Sequence, residues 1–310
     1  MPDRAPKSYL LIHPVSYCYV KSSANYIYEK LQEFSPGEVE CIFCEDIELA
    51  PVNPGSIVYV IGDPFKPFTR RKERFYVFMN FSLIYFLGNP LHCSWSAYKW
   101  IREKRSAFDS KIACYDYILD YYASQVPVMR EKTNIPVAAF PTGVERPAAD
   151  SKLSRPDRKY DVCIVGTPSP RRLRMISKLR KKGFSLSPVD GVVFESIAAE
   201  SRIVLNMHLH RSNHLELPRI VGALVSGAAL VTEHCWGLDD YLPPDMYVAA
   251  SEDRLADAVE ELITDQARLD SLSARAGKWM ENVYFKNCDA QWQNVLPEIH
   301  QRFRNSDVHR

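Results

Sequence analysis

Residues 201–242 read SRIVLNMHLHRSNHLELPRIVGALVSGAALVTEHCWGLDDYL, and the order of signals here decides the fold class. Ile203 to Met207 reads as a buried strand, and Ala228 to Thr232 as a second. Between them lie a polar loop carrying His208, His210 and His214, a short helix opened by Pro218, and Gly227 where that helix stops. An irregular polar loop feeding a helix N-terminus beside two hydrophobic strands is how α/β proteins build anion and nucleotide sites.

The same rhythm extends outward. Upstream, SYLLIHP reads as a first strand, Ser22 to Phe34 as a helix, and VECIFCE and SIVYVIGD as strands ending in polar turns. RFYVFMNFSLIYFLG is so evenly hydrophobic that helix and strand are hard to separate. SWSAYKWIREKRSAF reads as a helix, KIACYDYILDYYASQVPVMREKTN as a strand passing into a helix, and IPVAAFPTGVERP as a strand turning at Pro141 to Gly143. Arg146 to Arg158 is polar and proline-bearing, the best linker. YDVCIVG then starts a fresh strand, followed by a helix with Ser169 as N-cap, Pro170 as first residue and Gly183 as stop. Two surface helices follow, the first capped by Ser251, and the tail CDAQWQNVLPEIHQRF forms one more, interrupted near Pro297. Alternating strands and helices predict parallel, doubly wound sheets in two Rossmann-like domains, residues 1–148 and 158–310, with the last helix packing back on the first.

Composition narrows the function. A chain of 310 residues accommodates two domains, and its net charge of +1 supplies no global field toward nucleic acid or membrane. The apolar run near the N-terminus is too short for a secretory signal, and Phe81 to Leu87 is far below membrane-spanning length, so the cytoplasm is the expectation. Eight cysteines in a chain this long do not make a disulfide scaffold. Cys41 and Cys44 form a CxxC pair without a second pair, inside a strand pattern, and read as core.

With these blocks in place, YDVCIVGTPSPRRLRMISKLRKKGF, SRIVLNMH, LPRIVGALVSGAALVTEHCWGLDDYL and EDRLADAVEELITD together resemble group 1 glycosyltransferases of GT-B fold, most of all the spore-maturation-type subgroup. The resemblance covers roughly residues 112–285, and residues 1–110 share only βα character. It implies two Rossmann-like domains facing across a cleft, a nucleotide-sugar donor on the second and an acceptor on the first. It also implies that no metal cofactor is needed for the donor diphosphate. The acceptor is open: a glycan, a lipid-linked group, a protein or modified nucleic acid.

The residue chemistry agrees with that expectation. Gly166 ends a strand and lets backbone approach a ligand, and Arg171, Arg172 and Arg174 follow at a helix N-terminus. Guanidinium groups and free helix N–H groups suit a diphosphate. The alternative is a solvated basic face, since Lys178, Arg180, Lys181 and Lys182 continue the charge run. Arg219 stands where the family keeps an arginine. The family also shows two glutamates across this loop and helix, the second binding the ribose, and here His214 and Gly222 occupy those positions. Glycine accepts no hydroxyl, so another donor, ribose contacts from Glu216 or Glu233, or lost activity remain as readings. A binding or scaffold protein without turnover and a nucleotide-sugar epimerase are the alternative functions.

His208, His210 and His214 invite a zinc reading, but no carboxylate or cysteine completes a familiar set. Hydrogen bonding at the donor site or a structural role are the other two options for His208, His210 and His214. In the first domain His13 and Asp63 each follow a strand, where ligand crevices form, and either suits a general base on the acceptor hydroxyl. Each is also a common structural choice beside proline. The basic, aromatic residues 65–78, with Lys66, Arg70, Arg71, Lys72 and Arg74, offer peripheral membrane contact with anionic lipid, docking of a phosphorylated acceptor or nucleic acid, or a solvated surface.

Overall fold

A computed structural model describes residues 5–62, 65–82, 84–85, 94–141, 143–145, 157–164, 166–188, 194–213 and 215–306. The chain divides into two compact units. Unit 1 comprises Met1–Leu87, Tyr98–Glu145 and Lys286–Arg310; unit 2 comprises Gly88–Ala97 and Arg146–Phe285. Most of the Arg146 to Arg158 linker lies outside the described residues.

In unit 1 the order is β1 (Ser8–Ile12), α1 (Pro14–Phe34), β2 (Val39–Phe43), β3 (Ser56–Ile61), β4 (Arg74–Asn80), α2 (Trp95–Asp109), β5 (Tyr117–Asp120), α3 (Val126–Lys132) and β6 (Val137–Ala139). The ambiguous run RFYVFMN is therefore a strand. All six strands are parallel, in the order β2-β1-β3-β4-β5-β6. Every position of β1, β3 and β4 is buried, as helices on the faces of a parallel sheet require. The order reverses between β1 and β3, the place where open α/β sheets leave a crevice at their carboxyl edge.

Unit 2 repeats the design with β7 (Tyr160–Cys163), α4 (Pro170–Lys181), α5 (Phe194–Ala199), β8 (Ser201–Asn206), α6 (Leu217–Val225), β9 (Ala229–Glu233), β10 (Val248–Ala250), α7 (Leu255–Thr264) and α8 (Gln266–Trp279). Its strands are parallel in the order β10-β9-β8-β7, and a parallel bridge from Val162 to Leu186 extends the sheet beyond β7. Chain direction thus reverses between β7 and β8, so each unit is doubly wound. Val162, Ile203, Leu205 and Val231 form the core under Leu179, Val259 and Leu269.

Three helix boundaries differ from the sequence reading. α1 begins at Pro14 rather than Ser22, because His13 Nδ1 accepts the Val15 N–H (3.2 Å) and caps it; a break at Val20 hides the first turns from periodicity. α7 begins at Leu255, with the Ser251 carbonyl rather than its hydroxyl accepting from Arg254 and Leu255 N–H groups. The last helix, α9 (Phe285–Asn305), runs uninterrupted through Pro297. Pro297 and Gln293, whose carbonyl loses its donor, are solvent-exposed, while Trp292, Leu296, Ile299 and Phe303 are buried and hold the helix in place.

Candidate functional site

The polar side chains of unit 2 gather at the carboxyl edge of its sheet. β7 leads to Gly166, whose φ of 114° suits glycine. A Cβ there would stand 2.7 Å from Arg172 Nη1 and 3.2 Å from Arg219 Nη2, so two guanidinium groups flank one glycine. Arg172 comes from the first turn of α4, where Ser169 caps the helix by accepting from Arg172 N–H, and Pro170 follows as expected. It is 1% exposed. Arg172 Nε and Nη2 donate to the Met207 carbonyl, 3.0 and 2.6 Å away, and Nη1 donates to Thr167 O at 2.8 Å. Its fork therefore spans the reversal between β7 and β8.

Arg172 has no carboxylate at ion-pair distance among the described residues. Burial, and then the neighbouring charge of Arg219, lower its guanidinium to about 10. Arg219, in the first turn of α6, donates to Asn206 Oδ1 (3.1 Å) and pairs with Glu216. The solvated-face alternative thus fails for Arg172, whereas Arg174 and Lys178 are exposed.

Arg171 reaches across the same edge. It donates to the His208 carbonyl (3.0 Å), pairs with Glu233 at the end of β9, and pairs with Glu252 after β10 (3.1 Å). Its Nε is buried with no partner among the described residues. Glu233 also accepts the His208 main-chain N–H at 2.7 Å and lies 3.3 Å from His208 Nδ1. His208 is fully buried, which alone would lower its imidazole; hydrogen bonds to Cys235 and Glu233 outweigh burial and raise it to about 10. Burial works against the Glu233 carboxylate as well, but His208 and Arg171 bring it below the ordinary range. Gly166, Arg171, Arg172, His208, Glu216, Arg219 and Glu233 thus share one sheet edge. His214 lies outside the described residues, and no group of three or more His, Cys, Asp or Glu that are described is arranged to hold a metal ion.

Gly222 is closely packed. A Cβ on Gly222 would stand 2.7 Å from Phe194 Cε1, so the ring of α5 fills the space a side chain on α6 would need. Gly222→Glu is expected to lower unfolding stability by about 1–3 kcal/mol through overpacking, read as a fall in the denaturant midpoint. Adding Phe194→Ala should reduce that loss. A neutral Gly222→Glu would show that the ring does not bar the position.

In unit 1, His13 follows β1 beside the β1/β3 reversal, with its ring edge on Phe65 (5.0 Å). Since Nδ1 accepts the α1 cap, the neutral ring carries its proton on Nε2 and offers a donor there. Asp63 lies outside the described residues. Sequence reasoning missed Asp120 at the end of β5, which is fully buried and accepts from Asn80 Nδ2 (2.8 Å) and Tyr122 N (2.7 Å). Burial, only partly offset by those bonds and Gln125, raises its carboxyl to about 7. Nearby, Phe78, Asn80, Ile84, Lys104, Ala107, Phe108 and Lys111 line a cavity of about 200 Å³.

In residues 65–78, Phe65, Phe75, Tyr76 and Phe78 are buried, Arg70 pairs with Asp116, and Arg74 is buried against Val52 O. The aromatic groups needed for membrane docking therefore face the core. No helix among the described residues is long and apolar enough to cross a membrane.

No family model and no curated protein matches this chain. Solved structures do. Sucrose-phosphate synthase from Thermosynechococcus elongatus matches with a TM-score of 0.58 at 10% identity, over 96% of this chain and 100% of that one. Anabaena HepE in complex with UDP and glucose matches with a TM-score of 0.56 at 12% identity, over 96% and 100%. S. aureus TarM in complex with UDP matches with a TM-score of 0.52 at 11% identity, over 77% of this chain and 55% of that one. The chain likewise spans only 58% of the GtfA/B chain it matches. Identities this low speak to architecture: the chain has the α/β fold of GT-B glycosyltransferases, with parallel sheets in two Rossmann-like domains.

Proposed function

We propose that this chain is a cytoplasmic glycosyltransferase of the spore-maturation type. It binds a nucleotide sugar on unit 2 and passes a hexosyl or related group to an acceptor on unit 1. The observation that carries this reading is the pair Arg172 and Arg219 against Gly166. Two cations sit side by side in the first turns of α4 and α6, neither of which contains an acidic residue. Helix N-termini favour anions, so basic first turns that converge on a glycine oppose the local electrostatics, which Glu216 offsets at Arg219 but no ion-paired carboxylate among the described residues offsets at Arg172. A diphosphate satisfies the dipoles and the guanidinium groups together, and the same groups stabilise the charge that develops as the sugar departs. In this reading the chain's own cations take the place of a metal.

Glu216 and Glu233 supply the hydroxyl-accepting carboxylates that α6 lacks at Gly222. On unit 1, His13 and Asp63 at the β1/β3 reversal are the acceptor-side candidates. HepE and TarM were solved with UDP, which makes uracil the first base to test. At ligand about 100-fold above Kd, the matching nucleoside diphosphate should raise Tm by about 5–10 °C, and the nucleoside alone far less. No shift with any nucleoside diphosphate would end this reading. The Phe194 ring at Gly222 favours one second reading, a nucleotide-binding protein without turnover. Release of sugar from the bound nucleotide sugar separates the two.

A further inference from the structure

Three side chains of unit 2 form a linear array whose chemistry the donor site does not require. Cys235 Sγ lies 3.4 Å from His208 Nε2, and the opposite ring nitrogen, Nδ1, lies 3.3 Å from Glu233 Oε2. Glu233 is itself fixed by the His208 main-chain N–H at 2.7 Å and by Arg171. A thiol, an imidazole and a carboxylate in this order make a cysteine nucleophilic. The carboxylate stabilises the ring's cation, and that cation in turn favours the thiolate over the thiol. His208 is 0% exposed while Cys235 is half-buried, so the cysteine is the more accessible of the two. Burial instead pushes up the thiols of Cys41, Cys44 and Cys163, the last to about 12.

We propose that Cys235 is a nucleophilic thiolate and a site of modification by peroxides. The thiolate is held as an ion pair beside the protonated His208 ring, 3.4 Å from Nε2. The thiolate electron pair attacks one peroxide oxygen; the S–O bond forms as the O–O bond breaks, and the departing hydroxide takes the proton from His208 and leaves as water. Sulfur is oxidised to the sulfenic acid and the peroxide is reduced by the same electron pair. Around the array, Thr232 Oγ1 and the Glu233 carbonyl lie 3.6 and 3.3 Å from Sγ. Tyr247 is within electrostatic range of Cys235, Glu216 is within range of His208, and Arg171 stands behind Glu233. The array stands on its own geometry, whether or not unit 2 binds a nucleotide.

The test uses the intact wild-type protein, alkylated with iodoacetamide between about pH 6 and 9 and read peptide by peptide by mass spectrometry. At about pH 6.5 an ordinary thiol is only about 1% thiolate, and low-pKa thiolates are intrinsically less nucleophilic. Cys235 should therefore react at least about 10-fold faster than Cys41 and Cys44. Its rate should stay flat with pH where theirs climb. Brief hydrogen peroxide followed by dimedone should place an adduct on the Cys235 peptide, and Cys235→Ser should remove both signals. A Cys235 rate that climbs about tenfold per pH unit like any thiol, or no dimedone adduct at Cys235, overturns the proposal.

Discussion

Arg172→Met is expected to weaken binding of the matching nucleoside diphosphate by about 30- to 1,000-fold, the loss of about 2–4 kcal/mol of charge-assisted hydrogen bonding. Of its five N–H groups, three are committed to the Met207 and Thr167 carbonyls, which leaves one on each terminal nitrogen, with Nη1 beside Gly166. Those two donors, fixed in place by the committed three, are what a phosphate would meet. The nucleoside without phosphates should bind nearly as before, which separates a lost phosphate contact from a damaged unit. Arg172→Lys keeps the charge and loses the fork, so it should recover little. A diphosphate affinity within about threefold of wild type in Arg172→Met would remove Arg172 from the site. Stability should fall too, since the buried Met207 carbonyl loses its donors.

How much of this was legible in the sequence depends on range. The strands were readable because runs such as SIVYVI and SRIVLN carry unbroken apolar centres, IVYVI and IVL, and parallel strands covered on two faces require that. The Ser169–Pro170 start of α4 was readable because cap and proline act within one turn. Pro297 misled because a single residue does not reveal which face it will occupy. The site was half visible. Gly166, Arg171, Arg172 and Arg219 stand next to strand ends or helix starts, which local pattern marks. Glu252, Asn206 and Phe194 were not singled out, because they reach the site only through strand register and helix packing. Asn206 is level with Thr232 across β8 and β9, and nothing in either segment alone announces that pairing.

Glu233→Ala is expected to be the most destabilising single change in unit 2, at about 3–5 kcal/mol, because removing one partner strands the buried charges it compensated. Glu233 accepts the His208 N–H, pairs with Arg171 and faces the His208 ring, while Glu252 retains only part of Arg171. In a domain of this size such a loss lowers Tm by about 10 °C. The pH dependence is the sharper test. The His208 imidazole is raised from 6.5 to about 10 in the fold. The folded state therefore holds a proton that the unfolded chain releases, and the resulting stability is full below the unfolded value and is lost as pH climbs toward 10. Glu233 is shifted the other way, so its contribution is present above its ordinary value and is lost as pH falls. Wild type should accordingly be most stable between these two limits. In Glu233→Ala the alkaline decline should shrink, since the carboxylate that helps hold the proton is gone. Glu233→Gln keeps an acceptor for the His208 N–H but no charge, so it should regain stability while retaining the flattened profile. Parallel stability curves for wild type and Glu233→Ala across the alkaline range would mean that Glu233 does not hold the His208 proton.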